Sequence, residues 1–292
     1  MILIYNYELI SSSTSKVSFE TEIICAKKYN TVGIADGGLI MNLFDLNGKT
    51  ALVTGGNRGL GVGMVEGLCE AGAKVVILAS SDSVFVAAKE FCDKGFDVKG
   101  VKCDLGDENS IEVAFKEALS LLGGKINILV NNAGIQRRNK CEDFLMSDWD
   151  DVLNVDLRAV FKMCQLAGRE MIENGGGKII NLASMLSFFG GFTVPAYAAA
   201  KGGVAQLTKA LSNEWASKGI SVNAIAPGYM ATEMNTKLIE DEKRNADILA
   251  RIPVGRWGNS DDVKGITVFL ASKASDYLSG AVIPVDGGYL GK

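Results

Sequence analysis

The 292-residue chain contains no histidine. That absence removes Ser-His-Asp and Cys-His nucleophile pairings and histidine metal sites. Proton chemistry is left to Tyr, Lys, Asp, Glu and Cys, and no metal is expected. The six cysteines (Cys25, Cys69, Cys92, Cys103, Cys141 and Cys164) show no Cys-x-x-Cys spacing. They read as reduced thiols of a cytoplasmic protein. There is no basic tract, and the net charge is −4, so neither nucleic acid nor an anionic membrane is an expected partner. No apolar run is long enough to span a bilayer. There is no solenoid repeat, and no Pro- or Ser-rich linker after residue 48. What remains is 48% apolar, enough for a full core, in a length suited to one large α/β domain or two small ones. The unbroken patterning after residue 48 favours one.

Residues 1–40 do not share that patterning, and the catalytic domain is expected over 41–292. The opening Met-Ile-Leu-Ile-Tyr lacks a basic flank and is soon interrupted by Asn6 and Glu8, a poor secretory signal. Ser11 to Ser15 reads as a flexible tract. Two readings stand. Either translation naturally starts at Met41, with the Gly37-Gly38 codons forming a purine-rich ribosome-binding stretch, or the segment is a loosely ordered arm used in assembly.

From Lys49 onward, short β-branched runs alternate with helix-length stretches. Strands are expected at 51–54, 74–78, 98–102, 126–130, 178–182, 221–225 and 282–285; the longest helices are expected at 147–174 and 195–218. Short apolar strands suit a sheet buried on both faces. The alternation predicts a doubly wound, seven-stranded parallel sheet with helices on both sides. Such sheets bind ligands beyond the carboxyl ends of their strands, and the chemically distinctive residues fall there.

After the first strand comes Thr54-Gly55-Gly56-Asn57-Arg58-Gly59-Leu60-Gly61. Glycines at Gly55, Gly59 and Gly61 let the backbone approach a pyrophosphate, with a helix N-terminus aimed at its charge. A plain tight turn is the alternative. The second strand ends at Ala79, Ser80 and Ser81, where an acid gripping a ribose 2′-hydroxyl usually marks NAD. Arg58 with Ser80 or Ser81 suits a 2′-phosphate instead, so the coenzyme expectation is NADP or NAD, leaning to NADP. Asp104 after the third strand either accepts the adenine amino group or belongs to a helix cap near Asp107. Asn131-Asn132-Ala133-Gly134 after the fourth strand contacts adenosine, ties neighbouring strands together, or does both.

Tyr197 and Lys201 stand at i and i+4, on one helix face. A free phenol has a pKa of about 10, and a neighbouring ammonium lowers it. Such a tyrosine takes a proton from an alcohol or returns one to a ketone. Ser184, thirteen residues upstream, is placed to hold the reacting oxygen.

These residues, together with Asn154 and Pro227-Gly228, resemble the short-chain dehydrogenase/reductase family over about residues 43–290. The resemblance implies a single Rossmann-type domain and a tetrad. Tyr197 is then the acid/base. Lys201 lowers its pKa and holds the nicotinamide ribose, Ser184 polarises the substrate oxygen, and Asn154 holds a relay water. The resemblance extends the coenzyme set to Asn57, Leu60, Leu105, Tyr197, Lys201, Pro227, Gly228, Met230 and Thr232, the last on the carboxamide or capping the next helix. It also implies a homotetramer built on the two long helices.

Several stretches are most similar to the family's sugar-acid dehydrogenases, among them Asn132 to Arg138, Ala183 to Phe188 and Arg251 to Gly258. They point to 2-deoxygluconate or 2-dehydro-3-deoxygluconate as substrate class, with gluconate oxidation at C5 as the near neighbour. A sugar acid needs a cation, and Arg137 or Arg138 suits a carboxylate, or else a surface ion pair. Met185 joins Ser184 and Tyr197 in the expected substrate set. Arg256 and the segment 230–235 are weaker candidates. A helix over about 230–250 is expected to close over the substrate. Two other readings remain: a 3-oxoacyl thioester reductase using Arg137, Arg138 and Lys140 as a docking patch, and a dinucleotide-binding scaffold. The scaffold reading is disfavoured because all four tetrad positions are intact.

Overall fold

The computed structural model describes residues 33–35, 38–40 and 42–292. The expectations for Met1, the serine tract and Cys25 lie outside the described residues. The chain divides into two units between Leu43 and Phe44. In the first, Gly33–Ala35 pairs antiparallel with Gly38–Ile40.

The second unit is a seven-stranded sheet in which every pairing is parallel. Its strands are β1 (Thr50–Thr54), β2 (Lys74–Ala79), β3 (Val98–Lys102), β4 (Ile128–Asn131), β5 (Gly177–Leu182), β6 (Ile220–Pro227) and β7 (Val282–Val285). The spatial order is β3-β2-β1-β4-β5-β6-β7. Chain direction across the sheet reverses between β1 and β4, the switch point where such folds bind ligands. β4 begins two residues later than expected. Asn127 is drawn into a side-chain and backbone exchange with Thr50 instead of the ladder.

The sheet stays buried because its apolar strands alternate faces with period two. Leu52, Val76, Leu78 and Leu129 point to one side, while Ala51, Val53, Val75, Ile77, Ile128 and Val130 point to the other. On the first side pack α3 (Glu108–Leu121), α5 (Ala159–Glu173) and α6 (Pro195–Trp215), through residues such as Phe115, Met163 and Val204. On the second pack α1 (Leu60–Glu70), α2 (Ser83–Asp93) and α9 (Lys264–Ala271), through Leu68, Phe91 and Leu270. Local signals set the helix ends. Asp107 caps α3 by accepting from the Asn109 N–H. Pro195 opens α6, and left-handed Gly219 closes the turn that follows it.

The long helix before β5 is not uniform. α4 (Met146–Leu153) runs into a π-helical stretch, Asn154–Arg158, before continuing as α5. The Ala159 N–H reaches back to the Asn154 carbonyl, one residue farther than in an α-helix. The segment expected as one helix over 230–250 is also broken. It comprises a 3₁₀ turn (Glu233–Asn235), α7 (Thr236–Glu240) and α8 (Glu242–Leu249). Asp241 is extended, and its carboxylate caps α8 through the Arg244 N–H, so the chain restarts there rather than continuing. Among the described residues, no helix is long and apolar enough to cross a membrane.

Candidate active site and coenzyme cleft

The glycine turn is shaped by what it excludes. Gly59 has φ 56 and ψ −136, outside the regions open to residues with a Cβ. A Cβ on Gly61 would lie 2.1 Å from the Gly55 carbonyl oxygen and 2.7 Å from the Asn132 amide nitrogen. That amide donates to the Thr54 and Gly55 carbonyls at 3.0 and 2.9 Å. The Thr54 hydroxyl accepts from the Asn132 and Ala133 N–H groups. The loop after β4 is thereby stitched to the turn after β1, and a smooth backbone surface is left at the N-terminus of α1. The residues present therefore fit a dinucleotide pyrophosphate. Leu60, half-buried, anchors the start of α1 in the core, and Thr232 sits over Gly59. No side-chain cap bond forms from Thr232, so its hydroxyl is not spent on the following turn.

Several coenzyme candidates also carry structural contacts. The Asn131 side chain is buried and donates to Asn181 at 2.9 Å, and Asn181 donates on to Thr208. It ties β4 to β5 and α6 through its amide nitrogen, and its Oδ1 is buried without a partner. Asp104 accepts from the Gly106 N–H, shaping the turn before α3 while Asp107 does the capping. Leu105 packs against the core. Met230 is buried against the sheet, with its carbonyl accepting from Asn235. Gly228 donates to Val285 and holds the end of β6 beside β7.

At the end of β2, the Asn57 amide donates to Ser83, which also bonds Ser81. Ser80 is exposed. Arg58 pairs with Glu233 at 3.2 Å, both side chains largely exposed. Such a pair is worth about 0–1 kcal/mol, little to give up for a phosphate. Lys102, at the end of β3, reaches Asp82 at 2.9 Å. It adds a second cation that the strand pattern did not single out.

Three of the tetrad candidates, Ser184, Tyr197 and Lys201, come together beyond β5. Ser184 follows β5 and accepts from the Leu186 N–H. Ser187 donates from its hydroxyl to the Lys201 carbonyl and accepts from the Ser184 N–H, so the serine loop and α6 are fixed to each other. The strand-end cap and a role on the substrate oxygen are both compatible with this position. Lys201 is buried; its ammonium donates to the Leu182 carbonyl at 2.9 Å and lies 5.4 Å from the centre of the Tyr197 ring. Asn154 opens the π-helical stretch, in keeping with its reading as a kinking residue, and borders a surface groove with Leu153, Leu157, Phe161 and Leu207.

The Tyr197 phenol does not simply fall below its ordinary range. Burial pushes it up and the Lys201 ammonium pulls it down; Asp156 opposes Lys201, while a Ser184 hydrogen bond and Arg138 favour the phenolate. The balance of the protein's own groups leaves it raised, because burial outweighs the single ammonium.

Asp156 was not singled out from the sequence. It is fully buried, with one carboxylate oxygen 3.4 Å from the Lys201 Nζ and the other accepting from the Ile135 N–H at 2.8 Å. The available signal was an acid two residues beyond Asn154, on a helix flanked by Val155 and Leu157.

The two arginines separate. Arg137 is held by Asp148 and Asp151, each at 3.4 Å, so it takes the ion-pair role. Arg138 has no carboxylate partner among the described residues. Its neighbours are Tyr197, Tyr229 and Arg244, and burial followed by the Arg244 charge lowers its pKa. Arg256 forms a two-point pair with Asp262 at 2.7 Å. Met185 is buried with Leu238, Ile248, Ile252 and Tyr289. It packs beneath the α7–α8 segment.

The fold and cleft define a dinucleotide-dependent oxidoreductase with a tyrosine–lysine couple. A family model described as enoyl-(acyl carrier protein) reductase matches residues 55–290. The 2-dehydro-3-deoxy-D-gluconate 5-dehydrogenase of Bacillus subtilis is 48% identical over 255 residues, covering 87% of this chain and all of that one. A structure from Agrobacterium tumefaciens, described as a candidate 2-deoxy-D-gluconate 3-dehydrogenase with bound NADP, is 46% identical with a TM-score of 0.80, covering 86% of this chain and 100% of that chain. A gluconate 5-dehydrogenase from Burkholderia cenocepacia, in complex with NADP and tartrate, is 40% identical with a TM-score of 0.83, covering 86% and 98%. The chain belongs to the short-chain dehydrogenase/reductase family, whose members oxidise or regenerate CH–OH groups with a nicotinamide coenzyme.

Proposed function

We propose that this chain is an NADP-preferring dehydrogenase that interconverts a secondary alcohol and a ketone on a sugar acid of the 2-deoxygluconate or 2-dehydro-3-deoxygluconate class. The observation that carries the substrate reading is Arg138, a solvent-exposed cation near enough to Tyr197 and Tyr229 for their charges to act on it, with no carboxylate partner among the described residues. A substrate carboxylate is the natural complement of such a group. Arg58, Ser80, Ser81 and Lys102 around the end of β2 support NADP.

The coenzyme supplies the hydride acceptor or donor. Gly55, Asn57, Gly59, Gly61 and the loop Asn131 to Gly134 hold it, with Pro227, Gly228 and Thr232 at the nicotinamide end. Ser184 binds the substrate oxygen and stabilises charge developing there. Tyr197 takes the hydroxyl proton in oxidation and returns one in reduction. Lys201 keeps the phenolate accessible, and Asn154 holds the water that passes the proton onward.

The catalytic unit is residues 44–292. We infer a homotetramer through α4–α5 and α6, where Leu153, Leu157, Phe161 and Leu207 border a surface groove; light scattering gives the assembly mass directly. Cytoplasmic residence is inferred from the unpaired Cys69, Cys92, Cys103, Cys141 and Cys164, and cell fractionation tests it.

The functional test follows nicotinamide absorbance with 2-deoxygluconate, 2-dehydro-3-deoxygluconate and gluconate, each with NADP and NAD. Turnover of a deoxy sugar acid, faster with NADP, is expected. Turnover of gluconate alone selects oxidation at C5. Silence on all three with measurable coenzyme binding overturns the sugar-acid reading and favours an acyl thioester.

A further inference from the structure

Lys201 is a buried ammonium, and a buried charge persists only when it is paired. The fully buried carboxylate of Asp156 is 3.4 Å from it. The π-helical turn beginning at Asn154 carries Asp156 inward between the β4 loop and α6. Its other oxygen takes the Ile135 N–H at 2.8 Å, and a Cβ on Gly134 would lie 2.8 Å from the oxygen that faces Lys201. One side chain thus joins the loop beside the coenzyme cleft to the lysine of the catalytic helix.

We propose that Asp156 is the counter-ion of Lys201 and a positioning residue for the reaction: it fixes the ammonium beneath Tyr197, ties it to the Asn131–Gly134 loop, and offsets part of the positive charge that Tyr197 experiences. The assignment rests on the reading of Tyr197 and Lys201 as the acid/base couple.

Geometry identifies the charge state. The oxygen facing Lys201 has no hydrogen-bond partner among the described residues, and its nearest charge is the ammonium at 3.4 Å, so the carboxylate form fits the pairing. Burial is the largest influence and leaves the Asp156 pKa above the ordinary carboxylate value, against the pull of Lys201 and the Ile135 N–H. Burial also lowers the Lys201 pKa, but Asp156 and Tyr197 more than reverse this. The charged or titratable groups acting on Tyr197 are Lys201, Asp156 and Arg138, with Ser184 as a hydrogen-bond partner; the chain has no histidine.

The signs follow. Asp156 disfavours the phenolate and favours the ammonium. Asp156→Asn keeps the shape and the acceptor for Ile135 but removes the charge. The Tyr197 pKa then falls, and so does that of Lys201. Tyr197 ionisation is read as the near-ultraviolet phenolate signal lost in the Tyr197→Phe protein, with no substrate needed. It should move to lower pH by about 1 unit, within the range for a charge a few ångströms away. The acid limb of kcat/KM for oxidation should move with it, and the alkaline limit set by Lys201 should also fall. A phenolate titration that stays in place, or rises, overturns the assignment. Tyr197→Phe that keeps turnover defeats the acid/base reading instead, and a failed substrate panel leaves the titration interpretable.

Should Asp156→Asn not fold, thermal stability decides. Lys201→Met leaves a buried carboxylate uncompensated, whereas Lys201→Met with Asp156→Asn removes both charges. The double variant should regain the stability that Lys201→Met loses. Additive losses overturn the pairing.

Discussion

Replacing Arg138 by glutamine tests the substrate reading most directly. Arg138 and Arg244 are like charges near one another, and no carboxylate among the described residues separates them. An incoming sugar-acid carboxylate would gain a charge-assisted hydrogen bond worth about 1.5–3 kcal/mol. Losing it should lower kcat/KM by about 10- to 150-fold. The assay compares the acid with its neutral amide under one coenzyme. Arg138→Gln should penalise the acid and spare the amide, and the folded protein should be no less stable, because a repulsion has been removed. Arg137→Gln is the control. Its pairs with Asp148 and Asp151, both at 3.4 Å and partly solvated, should cost at most about 1 kcal/mol of stability and leave discrimination between acid and amide intact. Equal loss on acid and amide in Arg138→Gln, or loss of that discrimination in Arg137→Gln, would refute the assignment.

Other outcomes are equally specific. Tyr197→Phe should abolish turnover while coenzyme binding by fluorescence stays near wild type; retained turnover removes Tyr197 from the chemistry. Gly61→Ala should weaken coenzyme binding and lower stability by about 2–4 kcal/mol, because the new methyl would meet the Gly55 carbonyl and displace the Asn132 amide. Calorimetry and a binding titration read the two effects separately. Ala79→Asp should shift kcat/KM from NADP toward NAD, since the new acid repels a 2′-phosphate and accepts from a 2′-hydroxyl; an unchanged ratio excludes the β2 end as the selector. The hydrogen bond from Arg256, with help from the Asn259 N–H, depresses Asp262 from 3.8 to about 2. At about 1.36 kcal/mol per unit the ceiling is about 2.4 kcal/mol, and solvent around Arg256 reduces this to about 1–2 kcal/mol. This stability is present above the unfolded value and is lost as pH falls through the folded one. Asp262→Asn should therefore destabilise at neutral pH and approach wild type only below about pH 2 in denaturant titrations.

The parts legible in the sequence are those enforced by short-range geometry. β-branched runs bounded by turns gave all seven strands, because burial on both faces leaves little choice of residue. The glycine turn was legible because a backbone that must adopt φ 56 at Gly59 and admit no Cβ at Gly61 has few solutions. Tyr197 and Lys201 were legible because a helix turns the i, i+4 spacing into proximity. The misreadings share a different cause: each concerned the direction or partner of a side chain, which neighbours distant in sequence decide. Asn131 was read as contacting adenosine, tying strands together, or both, and Asn181, fifty residues on, is what its amide nitrogen meets. Arg137 and Arg138 are adjacent and chemically identical, and only the acids of α4 tell them apart. Residues 230–250 read as one helix because nothing in their composition announces that Asp241 would spend its carboxylate on a new cap.

Asp156 shows the same limit from the other side. An acid within an amphipathic helix normally faces water, and here the wide turn at Asn154 carries it to Lys201 instead. The Tyr-x-x-x-Lys spacing shows where an ammonium lies, but not what balances it. With burial raising the phenol and Asp156 opposing the ammonium, the spacing alone overstates how far Lys201 activates Tyr197. The working pH of the couple is therefore a property of three side chains and their enclosure. A variant series built only on Tyr197 and Lys201 would assign to them an effect that belongs in part to the carboxylate behind them.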